Sequence, residues 1–296
     1  MHYFHVDVFS GLPYSGNSLT VFPDASGLTG VQMERITQEL RHFESIFLTR
    51  GGARDDTWQA RVFDLVAELD FAGHPVIGAA CVLHALYGTD GTDGTDGTDG
   101  NETWTLRLNA RTVKVTTQRR GPGRYASVLD QGPASFLGRP DTQNVASWFS
   151  LDTDDLDPDL PAEVVSTGLR YLVLPVRSGA LERARIALDL DAPLAGLGAQ
   201  FAYLLDATAL EGRHWNNDGS VEDVATGSGA GCAAAYLRRH HRIGESETAV
   251  LRQGRFTGRP SEMTISADGQ GEDIRSVKVG GEVAFVAEGR LQELPQ

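Results

Sequence analysis

Two short stretches of this chain repeat one arrangement of reactive side chains. Glu68-Leu-Asp70-Phe-Ala-Gly73-His74-Pro75 and Glu222-Asp223-Val-Ala-Thr-Gly227-Ser228-Gly229 each place acidic residues ahead of a glycine and a polar side chain. Each then runs into small apolar residues, Val76 to Leu86 and Ala230 to Leu237, apolar on nearly every face, as in a helix enclosed by other structure. The first N–H groups of a helix lack intrahelical partners and carry the positive end of its dipole. Two such ends facing one cleft would hold an anionic ligand such as a carboxylate. Two enclosed helices imply two similar lobes, each carrying half of a site.

Four side chains bear on proton transfer, and each has two readings. Glu44 sits in an apolar frame between Phe43 and Ile46-Phe47; desolvation there would raise its pKa toward the range of a general base, or it is an ordinary carboxylate at a strand edge. His74 can exchange a proton at the mouth of the first enclosed helix, or simply bond backbone groups at a helix start. Asp223 can bind a substrate ammonium or hydroxyl, or complement the positive end of the helix that follows. Ser228 reads first of all as an ordinary helix N-cap, and only second as a candidate reactive hydroxyl.

Other chemistries lack their residues. No histidine pair has the metalloprotease spacing with glutamate and no Cys-x-x-Cys occurs, so no metal is expected. No Gly-x-Gly-x-x-Gly follows a strand, there is no Walker lysine, and no Gly-x-Ser-x-Gly elbow is found; no cofactor is expected either.

The elements that must position these residues are mostly strands. Alternation marks a strand through Val6-Asp7-Val8-Phe9, followed by a loop at Gly11, Pro13 and Gly16-Asn17. Val31, Met33, Ile36 and Leu40 have helical spacing, and Ser45 to Thr49 reads as a strand, placing Glu44 at a helix-to-strand junction. Further strands are expected at Arg61–Leu65, Thr103–Leu108, Thr112–Thr117, Tyr125–Leu129, Tyr171–Val176 and Phe201–Leu205, with a helix near Asp189–Leu197. Late strands at Glu262–Ala267, Ser276–Val279 and Glu282–Ala287 close the chain, the last two joined by a turn at Gly280-Gly281. The boundary between lobes is expected among Arg119–Gly123, giving lobes of 1–120 and 121–296, with the final strand near 282–291 able to return to the first.

At 296 residues the chain can bury a full core in two lobes. Twenty-six basic against forty acidic residues give a net charge of −14, which argues against nucleic acid and anionic membranes as partners. The two cysteines, Cys81 and Cys232, fall inside the apolar helices, where packing is the expected role, consistent with a reducing cytoplasm. No run reaches membrane-span length. The period-three Thr-Asp-Gly tract between Gly88 and Gly100 matches no calcium-loop spacing and reads as a solvated loop.

Taken together, Asp7-Val-Phe with Gly16-Asn17, Arg41-His-Phe-Glu44-Ser-Ile-Phe-Leu48, Glu68 to Pro75, Arg213-His-Trp, Glu222 to Ser228, Gln253-Gly254 and Gly258-Arg-Pro-Ser261 resemble the phenazine-biosynthesis PhzF isomerases. The resemblance spans essentially the whole chain. It implies an α+β fold of the diaminopimelate epimerase type: two similar lobes, each a mostly antiparallel sheet curled into a barrel around a central buried helix, commonly in a homodimer. It also implies that Glu44 takes and returns the proton on a small carboxylate substrate similar to trans-2,3-dihydro-3-hydroxyanthranilate. His74, Asp223 and Ser228 fall on catalytic positions, and Asn17, Gly73, Gly227 and Gly229 on substrate-binding ones. Arg41 and Phe43 stand where many relatives have Asn and Ser, and Pro75 and Val224 where Ala and Pro are common.

Three functions compete: a cofactor-independent single-base isomerase, an amino-acid racemase or epimerase of the same fold, and a non-catalytic binder. Two-thiolate racemases of this fold carry a cysteine at each turn; here the turns read Ala72-Gly73-His74 and Thr226-Gly227-Ser228.

Overall fold

A computed structural model describes residues 1–51, 57–88, 100–141 and 145–296; most of the Thr-Asp-Gly tract, residues 89–99, lies outside the described residues. In chain order the elements are β1 (His2–Val8), β2 (Asn17–Phe22), α1 (Gly30–Leu40), β3 (Glu44–Arg50), β4 (Thr57–Asp64), β5 (Glu68–Leu69), α2 (Gly73–Tyr87), β6 (Asn101–Arg107), β7 (Thr112–Gly121) and β8 (Arg124–Asp130). They continue with β9 (Ser135–Gly138), α3 (Val145–Trp148), β10 (Glu163–Ser166), β11 (Arg170–Pro175), α4 (Ala180–Arg183), α5 (Asp191–Gly196), β12 (Phe201–Asp206), β13 (Glu211–Arg213), α6 (Gly227–Arg239), β14 (Ala249–Gln253), β15 (Ser261–Gln270) and β16 (Asp273–Arg290). The chain divides into two units, Met1–Asp130 with Gly280–Gln296, and Gln131–Val279. The fold is α+β, as expected.

In the first unit the strands run β1-β2-β3-β4-β6-β7-β8-β16, and β16 pairs back onto β1, so they form a ring. The pairs β2–β3 and β4–β6 are parallel, whereas β1–β2, β3–β4, β6–β7 and β7–β8 are antiparallel. Helix α2 packs against β1, β2, β3, β6, β7 and β8, and every residue from Gly73 to His84 is buried. That burial explains its largely apolar sequence: over these three turns no face of the helix meets water, so no amphipathic stripe is required. Small residues let it approach the strands closely. At Gly78 an added Cβ would lie 2.5 Å from Leu19 Cδ2 and 3.0 Å from Val8 Cγ2. On the opposite face of the sheet, α1 lays Met33 and Ile36 on Phe22, Phe47 and Phe63. This helix has the amphipathic spacing of a surface helix and starts with a capping box between Thr29 and Gln32.

The second unit follows the same plan with strands β9-β10-β11-β12-β13-β14-β15-β16. Residues 131–134 continue the ring beside β16: Gln131 N–H donates to Val277 O (2.8 Å), Val277 N–H to Gly132 O (2.9 Å) and Ala134 N–H to Ile274 O (3.0 Å). Helix α6 packs against β10, β11, β12 and β15. A second apolar layer, with Phe149, Leu172, Leu174, Leu204 and Trp215, lies beneath the short helices α3, α4 and α5.

Two sequence expectations are corrected. Gly280-Gly281 is not a turn: β16 runs unbroken from Asp273 to Arg290, and neither glycine takes the positive φ that a two-residue Gly-Gly hairpin requires. Gly121 to Gly123, expected at the lobe boundary, instead form the tight turn between β7 and β8, with φ of 153° and 63° at the two glycines, and the units part after Asp130. Among the described residues no helix is long and apolar enough to cross a membrane.

Candidate active site

In the first unit the site residues gather where β2 and β3 meet the start of α2. Strand alternation puts Asn17, Leu19 and Val21 on one face of β2, and parallel pairing sets Leu19 beside Glu44 and Val21 beside Ile46. Leu19 touches α2 at Gly78, so this is the inward face. Glu44 therefore points toward the helix and not toward solvent. Its Oε2 lies 3.7 Å from His74 Nε2, with the two side chains only 20% and 8% exposed. Asn17 is buried at the head of β2, just after Gly16, whose φ of 72° and 2.5 Å approach to Val8 O leave no room for a side chain. Gly73 opens α2.

The loop ahead of Glu44 is tied down from the opposite face. Ser18 Oγ lies 2.8 Å from both His5 Nε2 and His42 Nδ1, and the two imidazoles meet at 4.5 Å with their planes tilted by 60°. Farther along, Thr20 and Ser45 share a buried hydroxyl pair at 2.6 Å. The first link ties the loop before β3 to β1 and β2 and the second joins β3 to β2, and neither was anticipated from sequence.

In the second unit the corresponding residues surround the start of α6. Asp223 Oδ2 accepts the Thr226 hydroxyl at 2.7 Å, and its backbone N–H donates to His214 O at 3.0 Å. Ser228 is not the N-cap; Thr226 is, and the Ser228 hydroxyl instead meets Tyr171 OH at 2.8 Å. Its place two residues into the helix frees the hydroxyl from the capping role. Gly227 is the first helical residue, and at Gly229 an added Cβ would lie 2.6 Å from the Tyr203 ring. Neither Ala72 ahead of α2 nor Thr226 ahead of α6 bonds the first helical turn with its side chain, in contrast to the capped α1.

The acidic residue opening each repeat has a structural role, and it is the same in both units. Arg61 grips Glu68 with Nε at 2.8 Å and an Nη at 2.6 Å; Arg213 grips Glu222 with the same two distances. A guanidinium fork on a carboxylate fixes orientation as well as distance. Each fork fastens a strand to the turn preceding the enclosed helix. In the second unit Arg213 is also sandwiched between Trp215 and Phe256, at 4.3 and 4.2 Å from the ring centroids.

Gln253 completes the second set. Its Nε2 donates to Asp223 O (2.9 Å) and Thr226 Oγ1 (3.0 Å), while its Oε1 accepts from Tyr203 OH (3.0 Å) and Thr226 N–H (3.2 Å). One buried amide thus holds the acidic turn, the helix cap and a strand tyrosine together. Sequence supplied Gln253 and Arg213 only as parts of the resemblance, and Tyr171, Tyr203 and Thr226 carried no signal of their own. Cys81 and Cys232 are free and fully buried, and burial pushes both thiols up to about 12. They are packing residues. Among the described residues no three His, Cys, Asp or Glu side chains are grouped to hold a metal ion.

Comparison with known proteins agrees with this construction. Residues 6–289 match the sequence profile of the family described as phenazine biosynthesis-like protein, PhzC-PhzF. The trans-2,3-dihydro-3-hydroxyanthranilate isomerase of Pseudomonas aeruginosa is 32% identical over 308 residues, covering 98% of this chain and 99% of that one. Among solved structures, a predicted epimerase of Pseudomonas aeruginosa is 45% identical with a TM-score of 0.88, covering 99% of each chain. The PhzF-family phenazine biosynthesis protein of Bacillus anthracis shares the fold at 21% identity and a TM-score of 0.81, again over 99% of each chain. With both repeats, their enclosed helices and nearly the full length matched, the chain belongs to the phenazine biosynthesis-like PhzF family and is an isomerase.

Proposed function

We propose that the isomerase moves a proton between carbons of a small carboxylate-bearing substrate similar to trans-2,3-dihydro-3-hydroxyanthranilate, with Glu44 as base and then acid. The observation that carries this reading is the inward-facing, partly buried Glu44 carboxylate 3.7 Å from His74 at the start of an enclosed helix. Glu44 takes the proton from a carbon whose electron pair can spread into a conjugated system, and returns it at another carbon of that system. His74 faces the same carboxylate and is its partner in proton exchange. Gly73, Gly227 and Gly229 leave backbone amides open to close approach by a carboxylate, and Asn17, Asp223 and Ser228 bind polar substituents.

A two-thiolate racemase finds no support here, because both thiols lie within helices and are held protonated by burial. The assembly proposed is a homodimer, checked by light scattering. The reaction is tested by proton NMR in D₂O with trans-2,3-dihydro-3-hydroxyanthranilate. Turnover by the wild type with none by Glu44→Gln is expected; undiminished turnover by the variant would remove Glu44 from the mechanism, and no turnover by the wild type would remove the substrate.

A further inference from the structure

We infer that His42 is a positioning residue for the reaction: hydrogen-bonded through Ser18 to His5 on the outer face of the sheet, it fixes the short linker that aims the Glu44 carboxylate. The inference rests on the proposed role of Glu44 as the proton carrier and adds the device that holds it.

Glu44 is the first residue of β3, so the chain ahead of it has no strand pairing to hold it. Helix α1 ends at Leu40, Arg41 reverses the chain in the left-handed conformation at φ 59°, and only His42 and Phe43 separate that reversal from the carboxylate. Arg41 and Phe43 are exposed, and among the described residues neither makes a side-chain hydrogen bond, ion pair or ring contact. His42 makes two such contacts: Nδ1 lies 2.8 Å from Ser18 Oγ, and the ring meets His5 at 4.5 Å. One imidazole therefore anchors the linker.

The anchor lies on the far face of the sheet from the reacting carboxylate. Asn17, Leu19 and Val21 line the inward face of β2, so Ser18 and Thr20 lie on the outer one, where Asp7 stands directly opposite Ser18 and His5 diagonally, its own partner being Thr20. His42 reaches Ser18 there, and thus acts through Glu44 and not on the substrate. Ser18 carries a single hydroxyl hydrogen, so it donates to one ring nitrogen and accepts from the other. Asp7, 1% exposed, places Oδ1 3.9 Å from His5 Nε2 while its Oδ2 accepts the Tyr14 N–H at 2.6 Å, and this favours the hydrogen on His5. Donation then runs from His5 Nε2–H to Ser18 Oγ and from the Ser18 O–H to His42 Nδ1, which is the acceptor. A freed linker lets the end of β3 shift, and a misplacement of about 1 Å in a reacting group costs about a hundredfold in rate.

The test compares His42→Leu, which keeps bulk but cannot accept, with His42→Asn, whose Oδ1 can take the place of Nδ1, in turnover of trans-2,3-dihydro-3-hydroxyanthranilate. His42→Leu is expected to lower kcat by roughly 10- to 100-fold with KM little changed, and to raise the isotope effect on kcat for substrate deuterated at the carbon that loses its proton. His42→Asn should recover most of the loss. A merely structural role would reduce the folded fraction and leave kcat per folded molecule and the isotope effect where they are. Ser18→Ala, which removes the shared hydroxyl and spares both imidazoles, should reproduce the His42→Leu result, and it replaces that variant should His42→Leu fold poorly. ¹³C NMR of glutamate-labelled protein gives a reading without substrate: the Glu44 carboxyl resonance, assigned by its absence in Glu44→Gln, should move in His42→Leu and Ser18→Ala and return toward its wild-type position in His42→Asn. Unchanged kcat in His42→Leu, a loss that His42→Asn does not recover, or a Glu44 resonance indifferent to all three variants would each overturn the inference. Failure of the wild type to turn this compound over would overturn the proposed reaction alone, and the Glu44 resonance then decides the inference.

Discussion

Replacing Gln253 by methionine should destabilise the second unit far more than its single side chain suggests. The amide is fully committed, and two of its partners are buried donors: the Tyr203 hydroxyl and the Thr226 N–H. Tyr203 is held protonated by burial, reinforced by the charges of Asp223, Tyr171 and Glu211, so it cannot escape the loss by ionising. Each stranded buried donor costs about 1–3 kcal/mol, so the variant should lose roughly 2–6 kcal/mol. Gln253→Glu keeps the acceptor but loses both donations and turns a carboxylate toward Asp223 O, so it should not rescue. The assay is urea denaturation followed by the fluorescence of Trp148 and Trp215, run as a cycle with Tyr203→Phe. Removing the hydroxyl first takes away one stranded donor, so the double variant should be about 1–2 kcal/mol more stable than additivity predicts. A cost below about 1 kcal/mol for Gln253→Met, or strict additivity in the cycle, would refute the idea that this amide holds the Asp223 turn.

Further tests bear on packing and charge. Gly78→Ala drives a methyl into Leu19 and Val8, and should cost about 1–3 kcal/mol in thermal or urea unfolding of the first unit. Cys81 and Cys232 should ignore a thiol reagent at pH 8 in the native protein and both react after denaturation, since burial pushes each up to about 12. Burial of Glu163 opposes ionisation, but the His240 and Arg139 hydrogen bonds and the charges of Arg239 and His240 outweigh it, holding the carboxyl below its usual value. The stability it contributes is therefore present above the unfolded carboxyl pKa of about 4.3 and is lost as pH falls through the lower folded value; Glu163→Gln should flatten that acid limb of the unfolding midpoint. Arg213→Lys should cost several kcal/mol, near the roughly 3–5 kcal/mol of breaking a buried pair, because an ammonium cannot reproduce the fork on Glu222 or the stack between Trp215 and Phe256.

What the sequence revealed follows from where the signal is local. The two enclosed helices announce themselves because nearly every residue from Gly73 to His84 and from Gly227 to Arg238 is buried, leaving no need for a polar stripe. Glu44 stood out by its apolar neighbours, yet its inward direction depends on the register of β2 against β3, a pairing across twenty-five residues. The second strand itself was hidden: Gly16-Asn17 reads as a turn, and the polar Ser18 and Thr20 break the apolar pattern because they bond side chains of neighbouring strands. Ser228 looked like a cap because serine suits that position, but the chain enters α6 two residues earlier. Gly280-Gly281 misled for a related reason: glycine permits a turn without compelling one, and strand partners decide.

That unbroken β16 has a consequence for the order of assembly. Residues 131–279 are contiguous and can close their own ring as they emerge from the ribosome, whereas β1, made first, must await Val283–Arg290 for its second neighbour. The half of the protein synthesised earliest is thus the last to finish, with Glu44 inside it. Contacts separated by some 280 residues in sequence are slow to form, so the strands around Glu44 and His74 complete their ring only when synthesis has passed residue 290.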